Sequence, residues 1–159
     1  RAGEAQVHED LVFDAAPVVA GAVERWQRFA QAAGKRLALQ GTLPVAPVAG
    51  SPTLLGEVVS NLVDNAIRYG GRNILVELRC SAAELHIEVL DDGAPLPPAT
   101  REQMFLPFWR GGHGYAEGSG LGLSIAQRII RRMGGELALR DTAGPGGTCL
   151  GISLPLHSG

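Results

Sequence analysis

Between Leu54 and Ile67 the apolar positions Leu54, Leu55, Val58, Val59, Leu62, Val63, Ala66 and Ile67 recur at i, i+3, i+4 and i+7. That spacing places one buried stripe on an α-helix. Ser51 suits the N-cap, Pro52 the first helical position and Gly70 a left-handed exit, so a helix is predicted over 52–69. A second helical pattern follows Asp14 as cap, with Pro17 in its first turn. It carries Val19, Ala22, Val23, Trp26, Phe29, Ala30 and Ala33 as its buried side, and Gly34 ends it. A third runs from Gly120 to Met133 with Leu121, Ile125, Ile129 and Met133 at i+4 steps, Arg131 and Arg132 in the last turn and Gly134 at the exit. Strands are predicted at Asp10–Phe13, at Arg36–Gln40 and at Val45–Val48, the last two around a turn from Gly41 to Pro44. Ile74–Cys80 and Leu85–Leu90, joined by the polar turn SAAE, predict an antiparallel hairpin. Glu136–Arg140 and Thr148–Leu154 close the chain around a Gly/Pro turn. Helices and antiparallel strands alternating in blocks predict a two-layer α/β sandwich, with three helices on one face of the sheet.

Composition narrows the partners. With 159 residues, 45% of them hydrophobic, the chain can bury one substantial core. A net charge of −2 and a pI near 6.1 give no electrostatic footprint for nucleic acid or for an anionic membrane. No apolar run approaches the length of a membrane span and no signal-peptide pattern opens the chain, which begins with Arg and so reads as a piece of something longer. The two cysteines, Cys80 and Cys149, lie in apolar strand-like runs without metal-ligand spacing, and are expected as buried reduced thiols.

Candidate chemistry lies on the first helix described and in the breaks between elements. Asn61 and Asn65 stand at i and i+4, with Glu57 a turn before and Arg68 a turn after, which lines four hydrogen-bonding groups along one flank. Asparagine is a poor helix former, so two of them mid-helix call for a reason; the plain alternative is a solvated face with an Asp64–Arg68 ion pair. Asp91 and Asp92 follow an apolar strand beside Gly93, where a carboxylate can accept hydrogen bonds from a ligand over the sheet edge or simply close an Asp-Gly turn. Gly118, Gly120 and Gly122 at the mouth of a helix can bring bare backbone N–H groups to a phosphate. This triplet is neither a Rossmann fingerprint nor a P-loop. Between them, MFLPFWRGG can anchor a surface loop through Phe105, Phe108 and Trp109, or turn Arg110 toward the site.

In this order the segments resemble the ATP-binding catalytic domain of bacterial sensor histidine kinases, a branch of the gyrase and mismatch-repair ATPase superfamily. NLVDNAIRY (61–69) matches the N box, DDGAP from Asp91 the first glycine box, FLPFWRG from Phe105 the F box, GSGLGLSIA from Gly118 the second glycine box, and GGT (146–148) the last. The resemblance implies a Bergerat-type fold with a mixed, largely antiparallel sheet, spanning 11–156 with a lid at about 96–119, after a residual linker (1–10) and before a short tail. It implies ATP and Mg2+ as cofactors: Asn65 holding the metal, Asn61 supporting it, and Arg68 and Tyr69 facing phosphates and ribose. Asp91 would accept the adenine amino group, the amides of Gly118, Ser119, Gly120, Leu121 and Gly122 would wrap the phosphates, and Gly93, Phe105, Arg110, Leu123 and Thr148 would complete the nucleotide site. One departure is Pro95, which replaces the second glycine of the first glycine box and stiffens the hinge of the lid.

The same comparison favours transfer over hydrolysis. Where hydrolytic relatives carry a Glu that activates water, this chain has Asn61, whose amide takes no proton at neutral pH. Two alternatives stay open: an ATP-hydrolysing domain, for which Glu57 is the nearby candidate base, and a degenerate nucleotide-binding module, suggested by Pro95. The phosphoryl acceptor implied is a histidine on a separate dimerisation domain. His8, His86, His113 and His157 lack its sequence context, so the acceptor is expected elsewhere in the parent protein. The implied partners are that phosphoacceptor domain and a cognate response regulator, with no nucleic acid. The implied setting is a homodimeric kinase anchored in the bacterial inner membrane, whose isolated catalytic domain is a cytoplasmic monomer.

Overall fold

The computed structural model describes residues 11–41, 45–107, 122–140 and 147–158. In chain order these form β1 (Val12–Asp14), α1 (Ala15–Ala32), β2 (Arg36–Gln40), β3 (Pro47–Ala49), α2 (Pro52–Tyr69), β4 (Asn73–Cys80), β5 (Glu84–Asp91), α3 (Pro98–Gln103), α4 (Leu123–Arg132), β6 (Glu136–Arg140) and β7 (Thr148–Pro155). A five-stranded sheet runs β2-β4-β5-β7-β6, with β2 parallel to β4 and every other pair antiparallel. The two strands expected around the Gly41–Pro44 turn belong to different sheets, because β3 pairs with β1 in a separate two-stranded ribbon. Asp14 Oδ1 ties that ribbon to α1, capping the helix at Ala16 N (3.1 Å) and accepting from Ala46 N (2.9 Å), beside the bond from Ala15 N to Ala46 O (2.9 Å).

Alternation along the strands sends Ile74, Val76 and Leu78, Leu85, Ile87 and Val89, and Leu150, Ile152 and Leu154 into one core, which α1, α2 and α4 close from above. The central helix α2 is the keystone, packing on α1, α4, β4 and β5. Burial of about ten of its residues is what holds the two layers together. A fourth, short helix, α3, lies within the segment expected as a lid.

Several expectations shift by a face or a turn. On α1, Phe29 is exposed with its ring 4.8 Å from that of half-buried Trp26, and Ala33 lies past the helix end in the open. Among the described residues α1 packs chiefly on α2 and β2, and it buries Val19, Ala22, Val23 and Ala30. Leu54 is exposed in the first turn of α2, and burial begins at Leu55. Helix α4 starts at Leu123 and buries Leu123, Ala126 and Ile130, while Ile125 is exposed. Steps of four drift by about 40° on a helix of 3.6 residues per turn, so Leu121, Ile125, Ile129 and Met133 cannot all share one face. Gly134 takes the left-handed exit at φ 84°, but Gly70 does not; its φ is −88°. Cys149 is buried, with its thiol pushed up to about 11 by burial and by the nearby Glu88 carboxylate, whereas Cys80 is exposed at the end of β4.

Candidate nucleotide site

The last turns of α2, the end of β5 and the start of β7 converge on one cleft. Asn65, Ala66, Tyr69 and Gly70 line it from the helix, Asp91 and Val89 from β5, and Thr148 and Leu150 from β7. Leu96 and Met104 close it from the segment after β5. Its volume is about 40 Å3. Asn65 is half-buried at this cleft, whereas Asn61, one turn earlier, is only 2% exposed and stands within the core layer. Tyr69 is 37% exposed at the rim. Phe105 is half-buried and packs on the core edge, while Phe108 and Trp109 of the same motif lie outside the described residues.

Glu57 does not join this flank. It is exposed and lines a separate, wider groove of about 940 Å3 between α1 and α2, with Arg25, Trp26 and Phe29. This groove is the larger of the two, and its polar lining is Arg25, Thr53, Glu57 and Ser60, apart from the cleft of Asn65 and Asp91.

The two aspartates at the end of β5 have separate tasks. Asp91 Oδ1 accepts from the backbone N–H groups of Gly93 (2.8 Å) and Gly71 (3.1 Å), and among the described residues nothing donates to its Oδ2. Asp92 is turned the other way. Its Oδ1 accepts from Asn73 N (3.0 Å) and its Oδ2 from the Asn73 side chain (2.7 Å), bonds that hold its carboxyl below the usual carboxylate range. Asp92 therefore fixes the start of β4, and Asp91 keeps an acceptor for a ligand.

Glycine makes this junction possible by close approach. A Cβ on Gly70 would come 2.6 Å from Asp91 Cγ, one on Gly71 2.2 Å from Asp92 Oδ1, and one on Gly147 2.3 Å from Asp91 O. This explains the extended exit of α2: Gly70 lets the carboxylate of Asp91 lie against the helix end. Lys35, which the sequence reading did not single out, ties down the same turn from outside, its Nζ donating to Ile67 O (2.5 Å) and Gly70 O (3.1 Å). No local signal marks it, since its partners lie more than thirty residues away.

On the open side, Arg68 is exposed and its Nε donates to Oδ1 of the buried Asp64 at 2.9 Å. Gly122 is the N-cap of α4, and among the described residues no side chain caps the helix there and none comes within 4 Å of where a Cβ would stand. Leu123, by contrast, is buried and supports the helix from below. Gly93 and Thr148 flank Asp91, joined to its strand by the ladder and by the bond Gly147 N to Gly93 O at 2.6 Å. Arg110, Gly118, Ser119, Gly120 and Leu121 lie outside the described residues, as does His113.

These donors and acceptors fit an adenine nucleotide with Mg2+. One carboxylate oxygen is left for an exocyclic amine, an uncapped helix start suits phosphate, and an amide at Asn65 offers one neutral oxygen to a cation. Among the described residues there is no cluster of three His, Cys, Asp or Glu, so a bound cation would take most of its ligands from phosphate and water.

A family model described as "Histidine kinase-, DNA gyrase B-, and HSP90-like ATPase" matches residues 50–158. Sensor histidine kinase GlrK of Escherichia coli (strain K12) is 45% identical over 109 residues, covering 65% of this chain and 23% of that protein. Sensor protein KdpD of Mycobacterium tuberculosis (strain ATCC 25618 / H37Rv) is 40% identical over 98 residues, 58% of this chain and 11% of that protein. The chain thus spans a quarter or less of the curated relatives it matches. Among solved structures, the catalytic domain of histidine kinase ThkA superposes with a TM-score of 0.81 at 22% identity, over 93% of this chain and 96% of that one. The mycobacterial sensor histidine kinase MprB does so with 0.76 at 28% identity, over 94% and 99%.

Proposed function

Because the chain belongs to the histidine kinase-, DNA gyrase B- and HSP90-like ATPase family and is the ATP-binding catalytic domain of a sensor histidine kinase, we propose that it delivers the γ-phosphoryl group of ATP to a histidine on a separate dimerisation domain of its parent protein. The observation that carries this reading is the pair Asn61 and Asn65: an amide stands where a hydrolytic enzyme needs a base, and Glu57, one turn earlier, opens instead into the groove beside α1.

In this reading Asp91 Oδ2 accepts the adenine amino group, Gly93 and Thr148 line the base, and Leu96 and Met104 swing out to admit it, since the closed cleft holds about one or two waters. Asn65 holds Mg2+ with Asn61 behind it, and Arg68, Tyr69 and the start of α4 at Gly122 meet phosphates and ribose. Phe105 anchors the segment that carries Arg110, and Gly118, Ser119, Gly120 and Leu121 supply further phosphate amides. Bound Mg-ATP supplies the activated phosphoryl group, whose transfer demands mainly positioning and charge neutralisation. The whole protein would be a homodimer anchored in the bacterial inner membrane, with residues 11–156 as its catalytic domain, 96–119 as the lid, 1–10 as linker, 157–159 as tail, and a cognate response regulator as the next acceptor. The isolated domain would be a cytoplasmic monomer that does not bind nucleic acid.

The test is binding without turnover. This chain with Mg2+ and ATP is expected to bind nucleotide, release phosphate very slowly and not label itself. Adding the helical hairpin of its own parent should produce a phosphohistidine, labile in acid and stable in base, at a low rate because the two parts are no longer tethered. Brisk hydrolysis by the domain alone, stopped by Glu57→Gln, would instead assign it to the hydrolytic class.

A further inference from the structure

Asp64 is a buried carboxylate that the nucleotide site as described does not use. It is 2% exposed, and among the described residues its enclosed Oδ2 has no hydrogen-bond partner, while its Oδ1 accepts the 2.9 Å bond from Arg68 Nε. A carboxylate satisfied at one oxygen and desolvated at both is a poor way to hold a helix together, because an apolar side chain of similar shape would pack there at lower cost. The geometry on the arginine side gives it a task. Gripping a guanidinium through Nε fixes the fork from behind and leaves its two terminal nitrogens forward; among the described residues those make no hydrogen bond. Arg68 is 41% exposed in the last turn of α2, next to Tyr69 and one turn after Asn65, both of which line the cleft.

We propose that Asp64 is a positioning residue for phosphate recognition, holding Arg68 by Nε so that its terminal nitrogens are aimed at the nucleotide phosphates before ATP arrives. This rests on the reading above that Arg68 faces phosphate. An unrestrained arginine would have to order its long side chain on binding; a preorganised one has already done so. The juxtaposition is also local, since i and i+4 on one helix bring the two groups together without any contribution from the rest of the fold.

Three substitutions in the full-length kinase separate this role from a structural one: Asp64→Leu, Asp64→Asn and Arg68→Met. Affinities for ATP and for adenosine are measured with the melting temperature of each variant. Asp64→Leu is expected to leave the melting temperature unchanged or raised and to weaken ATP about tenfold, with adenosine affinity unaltered. Asp64→Asn, whose amide oxygen can still accept from Nε, should recover part of that loss. In the Arg68→Met background, Asp64→Leu should cost ATP binding nothing more, which is the signature of an effect routed through the arginine. Equal losses for ATP and adenosine, an undiminished effect of Asp64→Leu in the Arg68→Met background, or a fall in melting temperature alone would overturn the proposal. If Arg68→Met leaves ATP affinity unchanged while Asp91→Ala abolishes it, the phosphate role of Arg68 is wrong and the proposal falls with it. If the unmodified kinase binds no ATP, the functional reading itself has failed.

Discussion

The most discriminating substitution at the base end of the cleft is Asp91→Asn, because the two oxygens of Asp91 are already divided between tasks. Oδ1 is held by the N–H groups of Gly93 and Gly71 at 2.8 and 3.1 Å, so an asparagine there must keep its carbonyl oxygen inward; the alternative would oppose an NH2 to two donors. The outward position then carries a donor where the wild type has an acceptor. For ATP, whose exocyclic amine is also a donor, the lost charged hydrogen bond is worth about 1.5–3 kcal/mol, or about ten- to hundredfold in affinity. A nucleotide bearing a carbonyl at that ring position, such as ITP, should improve relative to ATP. Stability supplies an internal control: Asp91→Asn keeps both backbone bonds and should melt near the wild type, whereas Asp91→Ala loses both. At about 1 kcal/mol each that is about 2 kcal/mol, or about 4–8 °C for a chain of this size. Calorimetric titration with ATP and ITP, together with thermal melts of the three proteins, measures all of this. Unchanged ATP affinity in a fully folded Asp91→Asn protein, or equal destabilisation by Asn and Ala, would refute the division of labour between the two oxygens.

Three further outcomes are expected. Asn65→Ala should abolish Mg2+-dependent ATP binding with little change in melting temperature, since the half-buried amide contributes little to folding; a titration with and without Mg2+ decides it. Gly71→Ala should destabilise the fold by more than about 2 kcal/mol, because its Cβ would come within 2.2 Å of Asp92 Oδ1 and 2.4 Å of Gly93 N; denaturant unfolding measures the loss. Asp92 has a lowered folded-state pKa, so its bonds to Asn73 stabilise the protein above the ordinary carboxylate range and are lost as pH falls through the lowered value. Asp92→Asn should accordingly flatten the acid limb of a stability-versus-pH curve and leave the neutral region with a smaller change.

The elements were legible in the sequence wherever hydrophobic period and punctuation agreed. Helix α2 matches its reading almost residue for residue because Ser51, Pro52 and a continuous stripe all point the same way, and Ser51 does cap Leu54 N. The β4–β5 hairpin was equally plain. Pairing between distant strands was not. The parallel partnership of β2 with β4 and the ribbon of β1 with β3 depend on tertiary packing, which a local alternation cannot encode. At the site, residue types and order were readable, whereas the split between Asp91 and Asp92 was not, because it turns on which way each carboxylate leaves the strand end. Gly70 shows the same limit: a glycine after a helix suggests a positive φ, but here it answers to a neighbour twenty-one positions away. Lys35 and Asp64 acquire meaning only from their partners.

Asp91 and Thr148 stand opposite each other on one rung of the β5–β7 ladder, and the adjoining Gly147 N to Gly93 O bond pins the rung from outside. Between them in the chain lie α3, α4 and the edge strand β6, so one rung joins the start and the end of a segment that carries two helices and a strand of the same sheet. An insertion in the stretch between α3 and α4 would add only closure entropy, about 0.6 kcal/mol for each doubling of a flexible loop, without moving the carboxylate relative to β7. The rung thus gives an engineer a fixed reference point while a reporter or a sensing peptide is spliced into that stretch.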